Sequence, residues 1–325
     1  MKIITKDDLY KLINSLAQDF EIIGPKELPN KGVFYQAITN PEDLYLGDKF
    51  TIEPIKKFFL SPSEWIFNES YLQGKEVLED EALEPRKRII FGPRPCEVRA
   101  LTLLDKVFNG DKTCLNNRAR TIIIGMYCFK PDNDCFCTSM GGSPIEGRGM
   151  DAAIFKAGND LVVDIITDKA KQIFGAFGRD IDKKEEKVFS AHKEEHKDAL
   201  SRRINVPENL DAVFESAYWE KVSFACLSCG ICTYLCPSCH CFDLVDEKRK
   251  RLKCYDGCAF AEFTLQTSGE NPRAAKKDRY RQRVYHKFDY FKKNFGENLC
   301  VGCGRCIRSC PVKMDIAEIV KNAPC

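Results

Sequence analysis

The sequence predicts an α+β protein in which an N-terminal mixed α/β domain is followed by a smaller, cysteine-rich C-terminal domain. Its 325 residues suffice for one large and one small domain, each with an ordinary hydrophobic core. Helical and strand-like patterns of apolar residues both occur before about residue 210. Thirteen of the 18 cysteines lie from Cys226 onward, which concentrates the chemistry near the C-terminus. We therefore expect domains at 1–215 and 216–325.

The regular elements of the N-terminal domain follow from local patterns. Thr5 can cap a helix, and Asp8 can complete a weak capping box with it. The apolar positions of that helix are Leu9, Leu12, Ile13 and Leu16. Short runs rich in β-branched or aromatic residues predict strands at 32–39, 88–91, 121–127 and 161–167. A second helix is expected over 96–108, with Pro95 in its first turn.

A strongly charged segment, 182–203, follows these elements. We interpret it as an exposed helix or a partly mobile connection, because its charges suit a solvated face. His192 and His196 stand four residues apart, as in half of a zinc site. No third ligand is evident from the sequence, and the neighbouring lysines argue against a buried metal.

The net charge and the lengths of the apolar runs limit the functions that the chain can have. The formal net charge is +2, which gives no global electrostatic argument for nucleic acid or a membrane surface. A secretory signal needs an apolar run near the N-terminus, where this chain has Asp7 and Asp8. The longest uncharged apolar stretch, near 121–129, is too short to span a bilayer. We expect a cytoplasmic protein in a reducing compartment, where cysteines bind metal or do redox work more often than they form disulfides.

Two segments of the C-terminal domain repeat one motif, C-x-x-C-G-x-C-x-x-x-C-P, offset by 74 residues. Three cysteines at this spacing can wrap three thiolates around one face of an iron-sulfur cube, and the glycines Gly230 and Gly304 permit the loop that this requires. The motif predicts two 4Fe-4S clusters in a ferredoxin-like domain. Zinc knuckles are the alternative, but zinc gives no reason for three evenly spaced cysteines followed by Cys-Pro, twice over.

In two-cluster proteins the fourth cysteine of each motif ligates the other cluster. We therefore assign one cluster to Cys226, Cys229, Cys232 and Cys310. The second cluster is assigned to Cys300, Cys303, Cys306 and Cys236. No catalytic residue is predicted, since a cube with four thiolate ligands has no open iron for a substrate.

A long insertion, 237–299, separates the two motifs. It contains Cys239, His240, Cys241, Cys254 and Cys258. Its basic part, 273–293, has nine Lys or Arg against two Asp, and Tyr280, Val284, Phe288 and Phe291 recur at helical spacing. We expect these four to form a buried stripe, with the basic residues Arg279, Arg281, Arg283 and Lys287 on other faces. A nucleic-acid-binding surface is the alternative interpretation of this basic stretch.

A second group of cysteines lies in the N-terminal domain: Cys96, Cys128, Cys135 and Cys137. These four thiols could ligate a third iron-sulfur cluster. Alternatively, Cys96 at a helix N-terminus could be a reactive thiol of low pKa, or the group could be buried and inert. Cys114, Cys254 and Cys325 fit no pattern and are treated as incidental, while Cys239, Cys241 and Cys258 stay ambiguous.

Six sequence segments together resemble a known family: GPRPCEVRAL, CFCTSMG, CLSCGICTYLCPSCHCFD, GENPR, RYRQRVYHKFDYF and CVGCGRCIRSCP. They are similar to a 4Fe-4S dicluster family that includes the iron-sulfur β subunits of soluble sulfhydrogenases and the A subunit of anaerobic sulfite reductase. The resemblance runs from about Arg88 to Pro311. It implies a non-catalytic electron-relay subunit of a hetero-oligomer. The implied neighbours are a flavin- and NAD(P)H-binding subunit with a 2Fe-2S cluster, and a terminal nickel-iron hydrogenase, sirohaem sulfite reductase or heterodisulfide-reductase-like unit.

Three functions follow as hypotheses. The first is the electron relay, with no nucleic-acid or membrane partner. The second is an iron-sulfur enzyme that itself reduces a sulfur compound near Cys96, Cys135 and Cys137. The third is a nucleic-acid-binding iron-sulfur protein that uses the basic stretch 273–293. The sequence has no G-x-G-x-x-G after a strand and no P-loop, so flavin or nicotinamide binding is expected of a partner.

Overall fold

The structure, a computed structural model, describes residues 1–72, 75–80, 87–199 and 202–324. By internal packing these residues divide into two units. The first unit holds the described residues of Met1–Ile55, Pro85–Arg203 and Val301–Gly304. The second holds those of Lys56–Glu84, Ile204–Cys300 and Arg305–Cys325. The boundary between 215 and 216 remains a prediction, and the mixture of helices and strands confirms the α+β class.

The described strands, in chain order, are β1 (Lys2–Ile4), β2 (Glu21–Leu28), β3 (Gly32–Ala37), β4 (Ser63–Leu72), β5 (Lys75–Asp80), β6 (Arg88–Phe91), β7 (Thr121–Met126), β8 (Ala152–Ala157), β9 (Asp160–Ile165), β10 (Arg179–Asp180), β11 (Phe242–Glu247) and β12 (Lys250–Tyr255). The described α-helices are α1 (Lys6–Leu16), α2 (Pro95–Val107), α3 (Lys112–Ala119), α4 (Asp168–Phe174), α5 (Lys183–His196), α6 (Tyr218–Ser223), α7 (Ile231–Tyr234), α8 (Lys276–Tyr285), α9 (Phe291–Phe295), α10 (Arg305–Arg308) and α11 (Ile316–Lys321). The four strand runs expected from the N-terminal sequence correspond to β3, β6, β7 and β9.

The first unit is built on an eight-stranded sheet of order β10-β1-β9-β8-β7-β6-β2-β3. Its centre is parallel, since β2, β6, β7 and β8 pair side by side in the same direction. Central strands of this kind are covered on both faces and are therefore continuously apolar. Ile89, Ile90 and Phe91 of β6 are accordingly fully buried. Ligand sites in such sheets form beyond the carboxyl ends of the strands.

Helix α1 has the capping box expected from the sequence. The Thr5 hydroxyl accepts a hydrogen bond from the Asp8 backbone N–H at 3.0 Å, and an Asp8 carboxylate oxygen accepts from the Thr5 N–H at 3.1 Å. Leu9, Leu12 and Ile13 are buried against the sheet core. Helix α2 begins at Pro95, so Cys96 lies in its first turn.

The second unit contains a four-stranded antiparallel sheet of order β11-β12-β4-β5. The sequence patterns did not predict these strands, because their polar and charged residues hide the alternation. Helix α8 continues through a π-helical segment, His286–Tyr290, into α9. The aromatic stripe lies on this helix: Tyr280, Val284, Phe288 and Phe291 are all buried, as the periodicity predicted.

The charged segment forms α5, in which no residue is fully buried. Its two histidine rings pack against Phe129, with His192 stacked on that ring at 4.5 Å between centroids. The His196 Nδ1 lies 2.9 Å from the His192 carbonyl oxygen. In the described part of the chain, no helix is long and apolar enough to cross a membrane.

Candidate iron-sulfur sites

The first cysteine motif forms a tight loop before α7. Gly230 has a φ of +74°, and a Cβ there would lie 2.3 Å from Cζ of Phe260, so both the conformation and the space require glycine. Ser228 also has a positive φ, +53°. The Cys226 sulfur accepts a hydrogen bond from the Ser228 backbone N–H at 3.4 Å. The loop is therefore tightly turned at Ser228 and Gly230.

Four cysteines that the sequence assigned to one cluster line a single pocket in the second unit. They are Cys226, Cys229, Cys232 and Cys310. Cys306, which the sequence assigned to the other cluster, lines the same pocket, together with Tyr280 and Arg283. Burial is the main cause that raises the pKa of the Cys226 thiol. A dense set of sulfur donors suits an iron-sulfur cluster, which is held by cysteine thiolates. Which cysteine ligates which cluster remains a prediction.

The fourth cysteine of the first motif has a different environment. Cys236 is buried, and it shares a side-chain hydrogen bond with Cys239, which the sequence left ambiguous. That hydrogen bond is the main cause that lowers the Cys236 pKa. The positive charges of Lys287 and Arg283 lower it further, and burial opposes them. The same hydrogen bond raises the pKa of Cys239. Of the two sulfurs, Cys236 is the one favoured as thiolate.

Two buried cations beside these thiols are the residues that sequence reasoning missed. Lys287 is 2% exposed and Arg283 is 4% exposed, although helical periodicity had placed them on faces away from the buried stripe. For Lys287 the expectation was wrong even for a regular helix, because at about 100° per residue the seventh residue after Tyr280 returns to the same face as the buried stripe. Lys287 Nζ donates to Cys236 Sγ at 3.2 Å, and Arg283 donates to Cys239 Sγ at 3.5 Å.

The second motif contributes residues 301–304 to the first unit. Gly302 has a φ of +65°, and a Cβ there would lie 2.5 Å from the carbonyl carbon of Phe136. The Phe136 backbone N–H donates to the Gly302 carbonyl oxygen at 2.8 Å. The Cys303 carbonyl oxygen accepts a hydrogen bond from Cys135 Sγ at 3.8 Å. The loop around Cys303 is therefore in contact with the loop around Cys135.

The N-terminal cysteines also share one pocket, at the carboxyl ends of neighbouring parallel strands. Cys96 lies in the first turn of α2 after β6, and Cys128 follows β7. The pocket is lined by Cys96, Cys128, Cys135 and Cys137, with Gly302 and Cys303 on its wall. The pKa of the Cys137 thiol is raised to about 12, chiefly by burial and then by the neighbouring Cys135 and Cys128. Four sulfur donors around one pocket fit an iron-sulfur cluster.

The other cysteines are separate from these two pockets. The backbone N–H of Cys258 donates to the Cys241 sulfur, and the pKa of each thiol is raised mainly by burial. Cys254 is on β12 and Cys114 is on α3. Cys325 lies outside the described residues.

A comparison with known families decides the nature of the C-terminal segment. Residues 225–314 match the family described as 4Fe-4S dicluster domain. The segment is a 4Fe-4S dicluster domain. It carries two 4Fe-4S clusters, so the two-cluster prediction is confirmed in preference to zinc knuckles. The dicluster domain includes both motifs and the whole insertion between them.

The resemblance extends beyond the dicluster domain. The chain is 29% identical over 324 residues to sulfhydrogenase 2 subunit beta of Pyrococcus furiosus. The aligned region covers 95% of this chain and 94% of that protein. This similarity confirms the family resemblance inferred from the six segments. No solved structure matches the chain significantly.

Proposed function

We propose that this chain is a non-catalytic iron-sulfur subunit that relays single electrons inside a hetero-oligomeric oxidoreductase. One neighbour would be a flavin- and NAD(P)H-binding subunit with a 2Fe-2S cluster. The other would be a terminal unit of the nickel-iron hydrogenase, sulfite reductase or heterodisulfide-reductase-like class. The observation that carries this proposal is the dicluster domain with its cysteine-lined pocket. Similarity along nearly the whole chain to a protein named a sulfhydrogenase subunit supports it.

The ligand sets support a relay rather than catalysis. When bound, iron-sulfur clusters exchange single electrons, and ligation by four thiolates leaves no iron open to a substrate. We assign Cys226, Cys229, Cys232 and Cys310 to one cluster. We assign Cys300, Cys303, Cys306 and Cys236 to the other. The role of these thiolates is to hold the clusters in the polypeptide.

We also propose a third cluster site, formed by Cys96, Cys128, Cys135 and Cys137. Two observations support it: the four cysteines line one pocket, and Gly302 and Cys303 of the second motif form part of its wall. Burial raises the pKa of Cys137, so this cysteine does not offer a stabilised, reactive thiolate; the alternative of a reactive thiol at Cys96 is a separate hypothesis. The third cluster would extend the electron path toward the N-terminal domain.

The surface around Cys229, beside the pocket assigned to the first cluster, suits electron exchange with a partner subunit. Cys229 is exposed, and apolar side chains close to it in the chain are exposed as well: Phe224 is 82% and Leu227 is 62% exposed. Exposed apolar side chains that cluster on a surface mark protein interaction sites. We assign this surface to the partner with which the first cluster exchanges electrons.

The nucleic-acid hypothesis has less support than the sequence suggested. Arg283 and Lys287, two of the nine basic residues in 273–293, are buried and hydrogen-bonded to groups of the protein. Lys293 forms ion pairs with Asp211 and Asp289. These cations are engaged within the protein, so the stretch offers phosphate groups less free charge than its composition implies.

The test of the relay uses the anaerobically purified, iron-loaded chain together with NADH or NADPH. We expect the clusters to be reduced only when a flavoprotein partner identified by co-purification is added, as followed by bleaching of visible absorbance. Turnover of sulfite or polysulfide by the isolated chain, with a chemical electron donor, would contradict the relay and favour the stand-alone reductase. Retention on DNA at physiological salt would favour the third hypothesis. Cytoplasmic location is part of this proposal, because reduced thiols and clusters require a reducing compartment.

A further inference from the structure

A buried ammonium group lies against two polar side chains of the dicluster domain. Lys287 Nζ is 3.2 Å from Cys236 Sγ and 3.3 Å from Ser238 Oγ, and these two atoms are themselves 3.4 Å apart. Ser238 is completely buried and Lys287 nearly so. None of the ion pairs among the described residues joins Lys287 to a carboxylate. The nearest source of negative charge for this cation is therefore sulfur.

Such a cation is costly to bury. An ammonium group removed from water loses several kcal/mol of hydration unless a counter-charge and hydrogen bonds replace it. A thiolate of Cys236 would supply both the charge and an acceptor. The main chain holds Lys287 in this position, since its carbonyl oxygen accepts a hydrogen bond from the Leu299 N–H at 2.9 Å, one residue before Cys300. Lys287 is thus hydrogen-bonded to Cys236 and to the residue before Cys300, and both of these cysteines are assigned to the second cluster.

Arg283, one helical turn earlier, has a different position. Its guanidinium donates to the Cys232 carbonyl oxygen at 2.9 Å and to Cys239 Sγ at 3.5 Å, and it lines the pocket of the first cluster. Arg283 therefore contacts Cys232 of the first ligand set and Cys239, which is the hydrogen-bond partner of Cys236 but is assigned to neither cluster. Lys287 contacts only the Cys236 side. The two cations should act on the two clusters unequally.

We propose that Lys287 raises the reduction potential of the cluster that Cys236 ligates, and so makes that cluster the preferred site of the electron within the pair. Reduction adds one negative charge to a buried, thiolate-ligated centre, and a buried positive charge stabilises the reduced form more than the oxidised form. Hydrogen bonds to ligating sulfur act in the same direction. The proposal rests on the assignment of Cys236 to the second cluster. It does not depend on which partner supplies the electron.

The experiment is a dithionite titration of the anaerobically purified, iron-loaded chain, followed by paramagnetic resonance, for the wild type and Lys287→Met. A Cys300→Ser variant identifies the signal of the second cluster. At the ambient potential where that cluster is half reduced in the wild type, we expect its ratio of reduced to oxidised form to fall at least tenfold in Lys287→Met, a shift of about 59 mV for one electron. The first cluster should change less than threefold.

Three further variants separate electrostatics from loss of packing. Lys287→Arg keeps the charge and should restore most of the wild-type ratio. Lys287→Gln keeps hydrogen bonding without charge, and it provides the neutral comparison if Lys287→Met does not fold. Lys293→Met removes a charge from the same helical region, but the Lys293 side chain is half-exposed and its ammonium group is paired with carboxylates, so neither ratio should move.

Other outcomes would overturn the proposal. A change below twofold in both neutral variants would do so, as would equal shifts of the two clusters. A shift confined to the first cluster would refute the role of Lys287 at Cys236. Because these readouts are potentials of the isolated chain, failure of NAD(P)H-dependent reduction would refute the relay without affecting this result.

Discussion

The backbone N–H of Phe136 donates a hydrogen bond of 2.8 Å to the carbonyl oxygen of Gly302. Phe136 lies between Cys135 and Cys137, and Gly302 immediately precedes Cys303. One main-chain hydrogen bond thus joins a loop of the proposed third site to a loop of the second ferredoxin motif. Both loops depend on the close approach of the two backbones.

The substitution Gly302→Ala should disturb both loops. Alanine at a φ of +65° costs about 1–2 kcal/mol, and its Cβ would lie 2.5 Å from Phe136, which adds overpacking of about 1–3 kcal/mol. We expect reduced iron content and an altered paramagnetic signal of the second cluster. Gly296→Ala is the matched control, because Gly296 has a φ of +76° but open space around it. Equal effects of the two substitutions would show that the close contact is unimportant.

Cys236→Ser tests the crossed ligation. If Cys236 ligates the cluster otherwise held by Cys300, Cys303 and Cys306, its replacement should weaken the signal of that cluster and leave the other intact. Cys254→Ser, on strand β12 of the same domain, should leave both signals unchanged. Paramagnetic resonance of the reduced proteins checks the prediction. Selective loss of the cluster assigned to Cys226 would contradict it.

Iron quantitation tests the third site. The anaerobically purified chain should contain about twelve irons if three cubes are present, and about eight if only two are. Cys128→Ser should lower the content from about twelve to about eight, because one of four ligands is removed. Cys114→Ser replaces another buried thiol, in α3, and should not change the content. A wild-type content near eight would refute the third cluster.

The sequence was most informative where chemistry or periodicity is local. The repeated cysteine spacing predicted the dicluster domain, and apolar periodicity predicted α1, α2 and the stripe from Tyr280 to Phe291. The sheet of β4, β5, β11 and β12 was missed because it joins segments more than 150 residues apart and its strands are rich in charge. The burial of Lys287 was missed because its charge indicated a solvated face, although the position follows Tyr280 by seven residues, and because its partner sulfur is 51 residues away in the sequence.

Leu227→Asp tests the surface beside Cys229. Burial of one leucine side chain in an interface contributes about 1.5–3 kcal/mol, so its loss should slow partner-dependent reduction about tenfold at limiting partner concentration. The clusters and their potentials should be retained, since the side chain is 62% exposed. Val188→Asp, at a position 59% exposed on α5, is the control. Equal rates for the two variants would contradict a partner surface at Leu227.

The buried imidazole of His286 should make the protein less stable in acid. Burial lowers its pKa to about 3, and the neighbouring His240, Lys287 and Arg273 add to this, while Cys236 opposes it. The His240 and His286 rings pack edge to face, with centroids 5.2 Å apart. In the unfolded chain His286 should titrate near pH 6.5. Between about pH 6.5 and 3, His286 is therefore protonated in the unfolded state but neutral in the folded state.

Protons therefore favour the unfolded state in this pH range. The contribution of His286 to stability is complete above pH 6.5 and is lost as the pH falls toward 3, by about 1.4 kcal/mol at pH 5.5. We expect wild type to lose more stability than His286→Gln between pH 7.5 and 5.5, by about this amount, because glutamine takes up no proton. Anaerobic urea unfolding at the two pH values measures the difference, and parallel losses in wild type and His286→Gln would refute the role of the buried imidazole.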